Sequence, residues 1–171
     1  MDLAIDFQIG TATELPWPDA SVDICLAPEL LEHVPEWQTC LDELSRILRP
    51  GGLLYINTSN SLCPVQNEFK LPMYSWYPRR LKRLVERLSV STHPELANYA
   101  TYPAVNWFTF PKLRREFERR GLVSFDRVDL FQSDDGGFVK RNLIPVIRAS
   151  AMLRLMVQFA TPYTQIVGLK S

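Results

Sequence analysis

The sequence has few cysteines and lacks the spacings that usually accompany cysteine-dependent folds. Its three cysteines are odd in number and show no C-x-x-C pair, which argues against both a disulfide framework and a zinc site. Cys25, Cys40 and Cys63 are therefore expected to be reduced core thiols of a cytoplasmic protein. Internal repeats and low-complexity tracts are lacking too, and residues 1–6 show neither the basic region of a signal peptide nor a long apolar anchor.

Net charge is also absent overall, although the charges are unevenly distributed. Residues 1–50 hold ten of the nineteen acidic residues but only two of the nineteen basic ones, so the rest of the chain carries an excess of eight positive charges. Such asymmetry predicts that the C-terminal part faces a phosphorylated acceptor, an anionic lipid surface or nucleic acid. Nucleic acid is the least favoured, because the aromatic residues are not interleaved with the basic ones.

The best-defined pattern is a helix followed at once by a buried strand. Apolar residues recur at helical spacing from 36 to 48, Pro50 and Gly51-Gly52 end the helix, and Leu53 to Ile56 form an apolar run. Such a run is typical of a strand that is covered on both faces of a parallel sheet. Ligands of these sheets bind at the carboxyl ends of the strands, so a site is expected at Asn57 to Asn60.

The remaining patterns predict an α/β domain that occupies all of residues 1–171. Further strands are predicted at 5–9, 22–27, 122–130 and 164–169, further helices after Pro78, after Pro111 and over 143–159, and turns at 29–34 and 134–137. Residues 60–110 are rich in proline and aromatic residues and are too long for a simple connection, so they are interpreted as a cap or insertion.

The aromatic residues of the insertion have two interpretations. They could form an acceptor pocket, because small-molecule pockets are mostly apolar with few polar groups. They could equally form a satellite hydrophobic cluster beneath a long loop. The predicted substrate-binding residues are Trp76, Tyr77, Tyr99 and Trp107.

A series of short motifs in the first third of the chain carries a family resemblance. The series reads Ile5-Asp6-Phe7, Gly10-x-Ala12-x-x-Leu15-Pro16-Trp17-x-Asp19-x-Ser21-x-Asp23, Leu31-Glu32-His33-Val34 and Glu43-x-x-Arg46-x-Leu48-x-Pro50-Gly51-Gly52. It resembles the class I S-adenosylmethionine-dependent methyltransferases, in particular the ubiquinone and menaquinone methyltransferase-like group. The resemblance implies a Rossmann-like fold, S-adenosylmethionine as cofactor, and methyl transfer to a small-molecule or lipid-linked acceptor. It also implies that residues 60–110 cap the acceptor pocket and that the last strand is antiparallel at the far end of the sheet.

The comparison with the family exposes a gap at the start of the chain. Residues 5–9 correspond to the family's third strand, and Gly10-Thr11-Ala12 has only one glycine, so it does not replace the glycine-rich loop that holds the cofactor. We therefore expect an N-terminally truncated fold without the first two strands and their helices. The alternative function is that of a non-catalytic remnant acting as a partner-binding or membrane-surface module.

The resemblance also implies residues for the site. It places Thr11, Ala12 and Trp17 around the adenine of the cofactor, and Ala27, Pro28 and Glu29 near its sulfur. His33 and Asn60 are the predicted catalytic residues. The family usually has an acidic residue where Thr11 stands, which bonds the adenine amino group.

Glu29, Glu32 and His33 form a separate candidate for a divalent metal site. Residues three and four apart share one face of a helical turn, so the three side chains could converge. Two carboxylates and an imidazole suit Mg²⁺ or Mn²⁺, and the spacing is similar to the Glu-x-x-Glu-His motif of some quinone-precursor and small-RNA methyltransferases. The alternative is that both acids are solvated and His33 has a packing role.

Basic residues crowd the two helices predicted after Pro78 and Pro111. They are interpreted either as solvated surfaces or, together with the apolar helix at 143–159, as a peripheral attachment to the inner, anionic face of a membrane. A third function, methylation of transfer RNA, would require tight and salt-dependent RNA binding.

Overall fold

The computed structural model describes residues 4–131 and 138–171. The strands described are β1 (Val22–Pro28), β2 (Leu48–Ser59), β3 (Leu122–Asp126) and β4 (Tyr163–Lys170). The helices are α1 (Trp37–Ile47), α2 (Arg79–Ser91), α3 (Phe110–Glu118), α4 (Arg127–Leu130), α5 (Phe138–Ala149) and α6 (Ala151–Phe159), with 3-10 turns at Tyr74–Trp76 and Pro94–Ala97. The predicted turn at 134–137 lies outside the described residues.

The four strands form one mixed sheet in the order β1-β2-β4-β3. β1 and β2 are parallel, whereas β4 is antiparallel to both of its neighbours. The predicted direction of the last strand is therefore confirmed, but its predicted position at the far end of the sheet is wrong. β4 lies inside the sheet because β3 pairs with its outer edge.

The junction of α1 and β2 follows the sequence pattern closely. The helix ends at Ile47, and β2 starts at Leu48, earlier than the apolar run. Gly51 has a φ of +77°, which L side chains rarely adopt. A Cβ at Gly52 would lie 2.8 Å from the carbonyl oxygen of Arg49, so both glycines are needed for this tight entry into the strand.

Three predicted elements differ from the structure. Residues 5–9 are not a strand, because no described strand pairs with them. β3 stops at Asp126, where the Asp126 side chain accepts a hydrogen bond from the Asp129 N–H and the Asp129 side chain accepts one from the Asp126 N–H; this capping box begins α4. The single helix predicted over 143–159 is two helices, because the Ser150 side chain accepts a hydrogen bond from the Leu153 N–H and caps a new helix, α6.

The main core lies between one face of the sheet and the helices α1 and α3. Its largest buried side chains include Trp37, Leu41, Leu54, Ile56, Phe108, Leu113, Phe117 and Ile166. Phe117 packs directly on the sheet, where a Cβ at Gly168 would come within 2.7 Å of its ring. Glycine at this position therefore lets α3 approach the strand.

Residues 60–110 build a second, smaller core of their own. Phe69, Tyr74, Val85 and Ala97 are buried together, and Phe69 and Tyr74 stack with their ring centroids 4.2 Å apart. These contacts support the interpretation as a satellite cluster, and the acceptor pocket stays a prediction.

Two other expectations concern the state of the cysteines and the presence of a membrane-spanning helix. Cys25, Cys40 and Cys63 are free thiols, as predicted, and burial raises the pKa of Cys40 to about 11. Among the described residues, no helix combines the length and the apolar character that crossing a bilayer requires.

Candidate functional site at the carboxyl ends of β1 and β2

The parallel pairing of β1 and β2 brings their carboxyl ends side by side. Pro28 is in register with Asn57, and the Glu29 N–H donates a hydrogen bond of 2.7 Å to the Asn57 carbonyl oxygen. Glu29 has a φ of 51°, so the chain turns sharply as it leaves β1. The cofactor-sulfur candidates Ala27, Pro28 and Glu29 therefore lie against the strand end that the sequence indicates as a site.

Glu32 is a fully enclosed polar residue of this region, with a relative exposure of 0%, as is Thr58. The Thr58 hydroxyl donates a 2.7 Å hydrogen bond to its carboxylate Oε2. Its backbone carbonyl accepts hydrogen bonds from the N–H groups of Val105 (2.8 Å) and Asn106 (3.1 Å). Burial raises the pKa of the Glu32 carboxyl, and the Thr58 hydrogen bond partly offsets this effect.

Three further polar atoms at this edge are buried without a hydrogen-bond partner among the described residues: Glu32 Oε1, His33 Nδ1 and Asn57 Oδ1. A buried polar atom that lacks a partner costs about 1–3 kcal/mol. Two of these atoms are oxygens that accept hydrogen bonds, and all belong to the turn after β1 or to the end of β2. The side chains at this edge therefore have hydrogen-bonding capacity that no described residue uses.

The predicted metal site does not assemble. Glu29 is exposed, whereas Glu32 is fully buried, because the positive φ of Glu29 breaks the helical spacing on which the convergence depends. In the described ranges, no three His, Cys, Asp or Glu side chains are placed to hold a metal ion. A role for Mg²⁺ is not supported.

Asn60 lies at the end of β2 with its side-chain amide fully engaged. Its Nδ2 donates to the carbonyl oxygens of Gln158 (2.6 Å) and Thr161 (2.8 Å), and its Oδ1 accepts from the Leu62 N–H at 2.9 Å. These bonds tie the site edge to the end of α6. A catalytic role for Asn60 stays a prediction, whereas His33 retains a ring nitrogen that no described residue satisfies.

The segment that carries the adenine candidates Thr11, Ala12 and Trp17 is fastened to α1 by two charged residues. Glu43 Oε2 accepts from the Leu15 N–H at 2.8 Å. The Arg46 guanidinium donates to the carbonyl oxygens of Leu15 and Trp17 and to the Glu43 carboxylate, at 3.1, 2.9 and 2.7 Å. The hydrogen bond from Arg46 is the main reason why the pKa of Glu43 falls to about 2.

A cleft beside the strand ends is lined by two of the four predicted substrate residues. Tyr77 and Trp107 line it, whereas Trp76 and Tyr99 are not part of its lining. Trp76 instead donates from its indole nitrogen to the Leu62 carbonyl oxygen, and Tyr99 is 69% exposed.

The cleft also contains residues that the sequence pattern did not single out. These are Lys82 and Lys112, which are half-buried; the buried Trp37 also lines the cleft. The helical stripe of α1 indicated that Trp37 is buried, but lysines on basic helices usually face solvent. Their inward placement had no sequence signal.

Comparisons with known proteins find similarity to methyltransferases. A family model described as "Methyltransferase domain" matches residues 1–56. The 27-O-demethylrifamycin SV methyltransferase of Amycolatopsis mediterranei is 43% identical over 54 residues, which are 32% of this chain and 20% of that protein. The demethylmenaquinone methyltransferase of Staphylococcus aureus is 29% identical over 119 residues, which are 67% of this chain and 46% of that protein.

A solved structure extends the likeness to the whole fold. The S-adenosylmethionine-dependent methyltransferase from Mesorhizobium loti matches 99% of this chain and 71% of its own, with a TM-score of 0.57 at 13% identity. The fold is that of a Rossmann-like class I methyltransferase, and the resemblance to the class I S-adenosylmethionine-dependent methyltransferase family is confirmed. The chain spans about a fifth to about half of the length of the curated relatives it matches.

Proposed function

We propose that this chain takes part in S-adenosylmethionine-dependent methyl transfer to a small-molecule or lipid-linked acceptor. The observation that supports this proposal is the juxtaposition of the carboxyl ends of β1 and β2 with the buried, unsatisfied atoms Glu32 Oε1, His33 Nδ1 and Asn57 Oδ1. Ligands of open α/β sheets bind at that edge. The relatives named above support methyl transfer as the reaction.

The residues present fit one part of the cofactor. Ala12 packs against the main core, which includes Ala27, and the fastened segment leaves Thr11 and Trp17 exposed beside it. These positions fit the adenine side, whereas the described residues offer no glycine-rich loop for the methionine side. The cofactor supplies a methyl group on a positively charged sulfonium, which buried carboxylate and amide oxygens suit electrostatically.

The chain's own contribution to such a reaction would be to orient the reactants and exclude water. Methyl transfer is an in-line displacement, so a large part of its barrier is removed by positioning. Where the acceptor must lose a proton, Glu32 and His33 are the groups at the strand edge that could accept it. The raised pKa of the Glu32 carboxyl makes it a better base than a solvated glutamate.

The proposal is tested by calorimetric titration of the purified 171-residue chain with S-adenosylhomocysteine, the reaction product. Thr11 is the sharpest site for a variant, because the family usually has an acid there. We expect Thr11→Asp to tighten binding about tenfold by adding a charge-assisted hydrogen bond to the adenine amino group. Thr101→Asp is the matched control, because it makes the same exchange at an exposed position outside this segment and should leave the affinity unchanged.

Failure of both the natural chain and Thr11→Asp to bind, with folding confirmed by circular dichroism, would contradict the proposal. The alternative function, a non-catalytic module that binds a partner, would then be favoured. A specific observation already points in its direction. Ile24 and Leu26 are 62% and 66% exposed on the outermost strand, where a partner polypeptide could cover them.

Cytoplasmic location with peripheral attachment to an anionic membrane stays a prediction. None of the residues of α6 is buried, so its apolar side chains Met152, Leu155, Met156 and Phe159 are available to a lipid surface. Sedimentation with vesicles of anionic phospholipid should show binding that weakens as salt is raised. Equal recovery with neutral vesicles would rule the attachment out.

A further inference from the structure

The cleft beside the site is large enough for a small-molecule ligand. Its volume is about 550 Å³, within the range of about 300–1,000 Å³ that ligand pockets occupy. Trp37 at the start of α1, Tyr77 before α2 and Trp107 before α3 provide aromatic walls. Aromatic walls favour a ligand with a flat apolar body.

The charged groups of the cleft are mainly positive. Arg79, Lys82 and Lys112 line it, and Glu116 is the acid among the lining residues. The Glu116 carboxylate is already bound by Arg119 at 3.0 Å and Arg120 at 2.9 Å. Within the described part of the chain, the three cations of the cleft form no ion pair with any carboxylate.

Glu86 lies near Arg79 and Lys82, and Glu116 near Lys112, so these carboxylates offset part of the positive charge. Burial lowers the pKa of Lys82 to about 8 and also lowers that of Lys112. Because neither carboxylate is in salt-bridge contact with the three cations, the remaining positive charge is available to a ligand.

The two lysines are held in place by the aromatic walls. Lys82 Nζ lies 4.2 Å from the centroid of the Trp107 ring and donates a 2.8 Å hydrogen bond to the Ser75 carbonyl oxygen. Lys112 Nζ lies 4.6 Å from the centroid of the Trp37 ring and 5.0 Å from that of Phe108. An ammonium group has three N–H donors, so each lysine keeps donors for a ligand after these contacts.

The cleft adjoins the strand edge through the segment that contains Trp107. The Asn106 N–H donates to the Glu32 carbonyl oxygen at 3.1 Å, and the Phe108 N–H donates to the Ser59 carbonyl oxygen at 2.9 Å. Trp107 lies between these two anchored residues. A ligand in the cleft would thus lie beside a segment that is anchored to the backbone of Glu32 and to the end of β2.

We propose that this cleft binds the methyl acceptor, and that the acceptor carries an anionic group, a carboxylate or a phosphate, on a flat apolar body. Lys82, Lys112 and Arg79 receive the anion, while Trp37 and Trp107 contact the flat body. The identification of the ligand as the acceptor rests on the proposed function. The preference of the cleft for flat anions is inferred only from the lysine, arginine and tryptophan side chains that line it and does not depend on the proposed function.

The test is calorimetric titration of the 171-residue chain with three probes that share a ring system: 2-naphthoate, 2-naphthyl phosphate and uncharged 2-naphthamide. We expect one or both anions to bind at least about tenfold more tightly than the amide. The tighter of the two identifies the anion as carboxylate or phosphate. The double variant Lys82→Met/Lys112→Met should remove the preference for the anions.

Two further variants protect this test. In the double variant, loss of the Lys82 hydrogen bond to Ser75 can disturb folding. Lys112→Met alone avoids this risk, because the Lys112 ammonium makes no hydrogen bond within the described residues, and it should still weaken anion binding. Arg80→Met is the matched control: Arg80 is exposed on α2 and outside the cleft lining, so affinity should be unchanged. Equal affinity for all three probes, or equal losses in Arg80→Met and Lys112→Met, would overturn the proposal.

A parallel titration with S-adenosylhomocysteine separates this inference from the proposed function. The lysine variants should bind it as the natural chain does. If the natural chain prefers the naphthalene anions but does not bind S-adenosylhomocysteine, the anion cleft stands and the methyltransferase proposal fails.

Discussion

The two faces of the sheet differ sharply in what covers them. On one face, Leu54 and Ile56 are fully buried beneath α1 and α3. On the other, strand register places Ile24, Leu53, Leu169 and Val123 in one row across all four strands, and three of the four are more than 40% exposed. Antiparallel sheets commonly leave one face to water, but that face is then usually polar, so an exposed apolar row is unusual for a folded domain.

The two faces of the sheet therefore serve different purposes: one determines stability and site geometry, and the other affects self-association. The covered face supplies the core that fixes the strand ends, and with them the positions of Glu32, Asn57 and the cleft. The open face contributes little to that arrangement, but it presents apolar side chains beside the edge of β1, with which no other described strand pairs. This combination promotes association. Stability and site geometry should therefore depend on the first face, and self-association on the second.

The largest expected effect comes from deleting side-chain volume on the covered face. Leu54→Ala should lower the free energy of unfolding by about 2–5 kcal/mol, because the site is fully enclosed and leaves a cavity. Leu26→Ala removes the same atoms from the open face and should cost about 0.5 kcal/mol. Urea denaturation of both variants measures the difference, and similar losses would refute the contrast between the faces.

Adding a methyl group to the covered face should have the next largest effect. In Gly168→Ala, the new Cβ would lie 2.7 Å from the Phe117 ring, so we expect a loss of about 1–3 kcal/mol from overpacking. The double variant Gly168→Ala/Phe117→Leu should lose less than the sum of its two single variants, because the ring that clashes is gone. Strict additivity in urea denaturation would contradict the packing of α3 on β4.

A smaller effect is expected from pH on the segment that Glu43 and Arg46 fasten over the covered face. The pKa of Glu43 is lowered from 4.5 to about 2 by its hydrogen bonds with Arg46 and Leu15. Its contribution to stability is thus present above about pH 4.5 and is lost as the pH falls toward 2. The melting temperature of Glu43→Gln should lie below that of the natural chain at pH 7, and the gap should narrow in acid; a gap independent of pH would contradict this linkage.

The smallest change in stability, but a clear change in association, is expected on the open face. Ile24→Lys/Leu26→Lys should alter the free energy of unfolding by no more than about 0.5 kcal/mol per site, while sedimentation velocity shows less self-association. The control Val65→Lys/Val90→Lys adds the same charge at two exposed positions outside the strands. If the control reduces association equally, net charge and not the open face is responsible.

The sequence predicted those parts of the fold whose residue pattern depends on a single helix or strand and not on its neighbours. α1 has a buried stripe at helical spacing, and Pro50, Gly51 and Gly52 define its junction with β2. The strand predicted at 5–9 failed for a physical reason: a strand needs a partner edge, and its alternation does not say whether one is available. The break at Ser150 was missed because the apolar spacing continues through it.

The candidate site was predictable in its location but not in its chemistry. Asn57 to Asn60 do lie at the carboxyl end of β2, as the strand pattern indicated, and their role in a site stays a prediction. Nothing in the spacing of Glu29, Glu32 and His33 revealed that the first is exposed and the second enclosed. The lysines of the cleft were missed because their positions depend on the irregular chain between 60 and 110. Glu43 and Arg46 lie three residues apart, so their pairing was available from helical spacing.

The most direct test of the account is an NMR titration of the ¹⁵N-labelled 171-residue chain with S-adenosylhomocysteine. We predict that the largest amide shifts fall within residues 11–17, 27–29 and 57–60, at the edge that the covered face positions. Shifts concentrated at Ile24, Val123 and Leu169 on the open face, or no shifts in a folded chain, would contradict the claim that the carboxyl ends of β1 and β2 form the cofactor site.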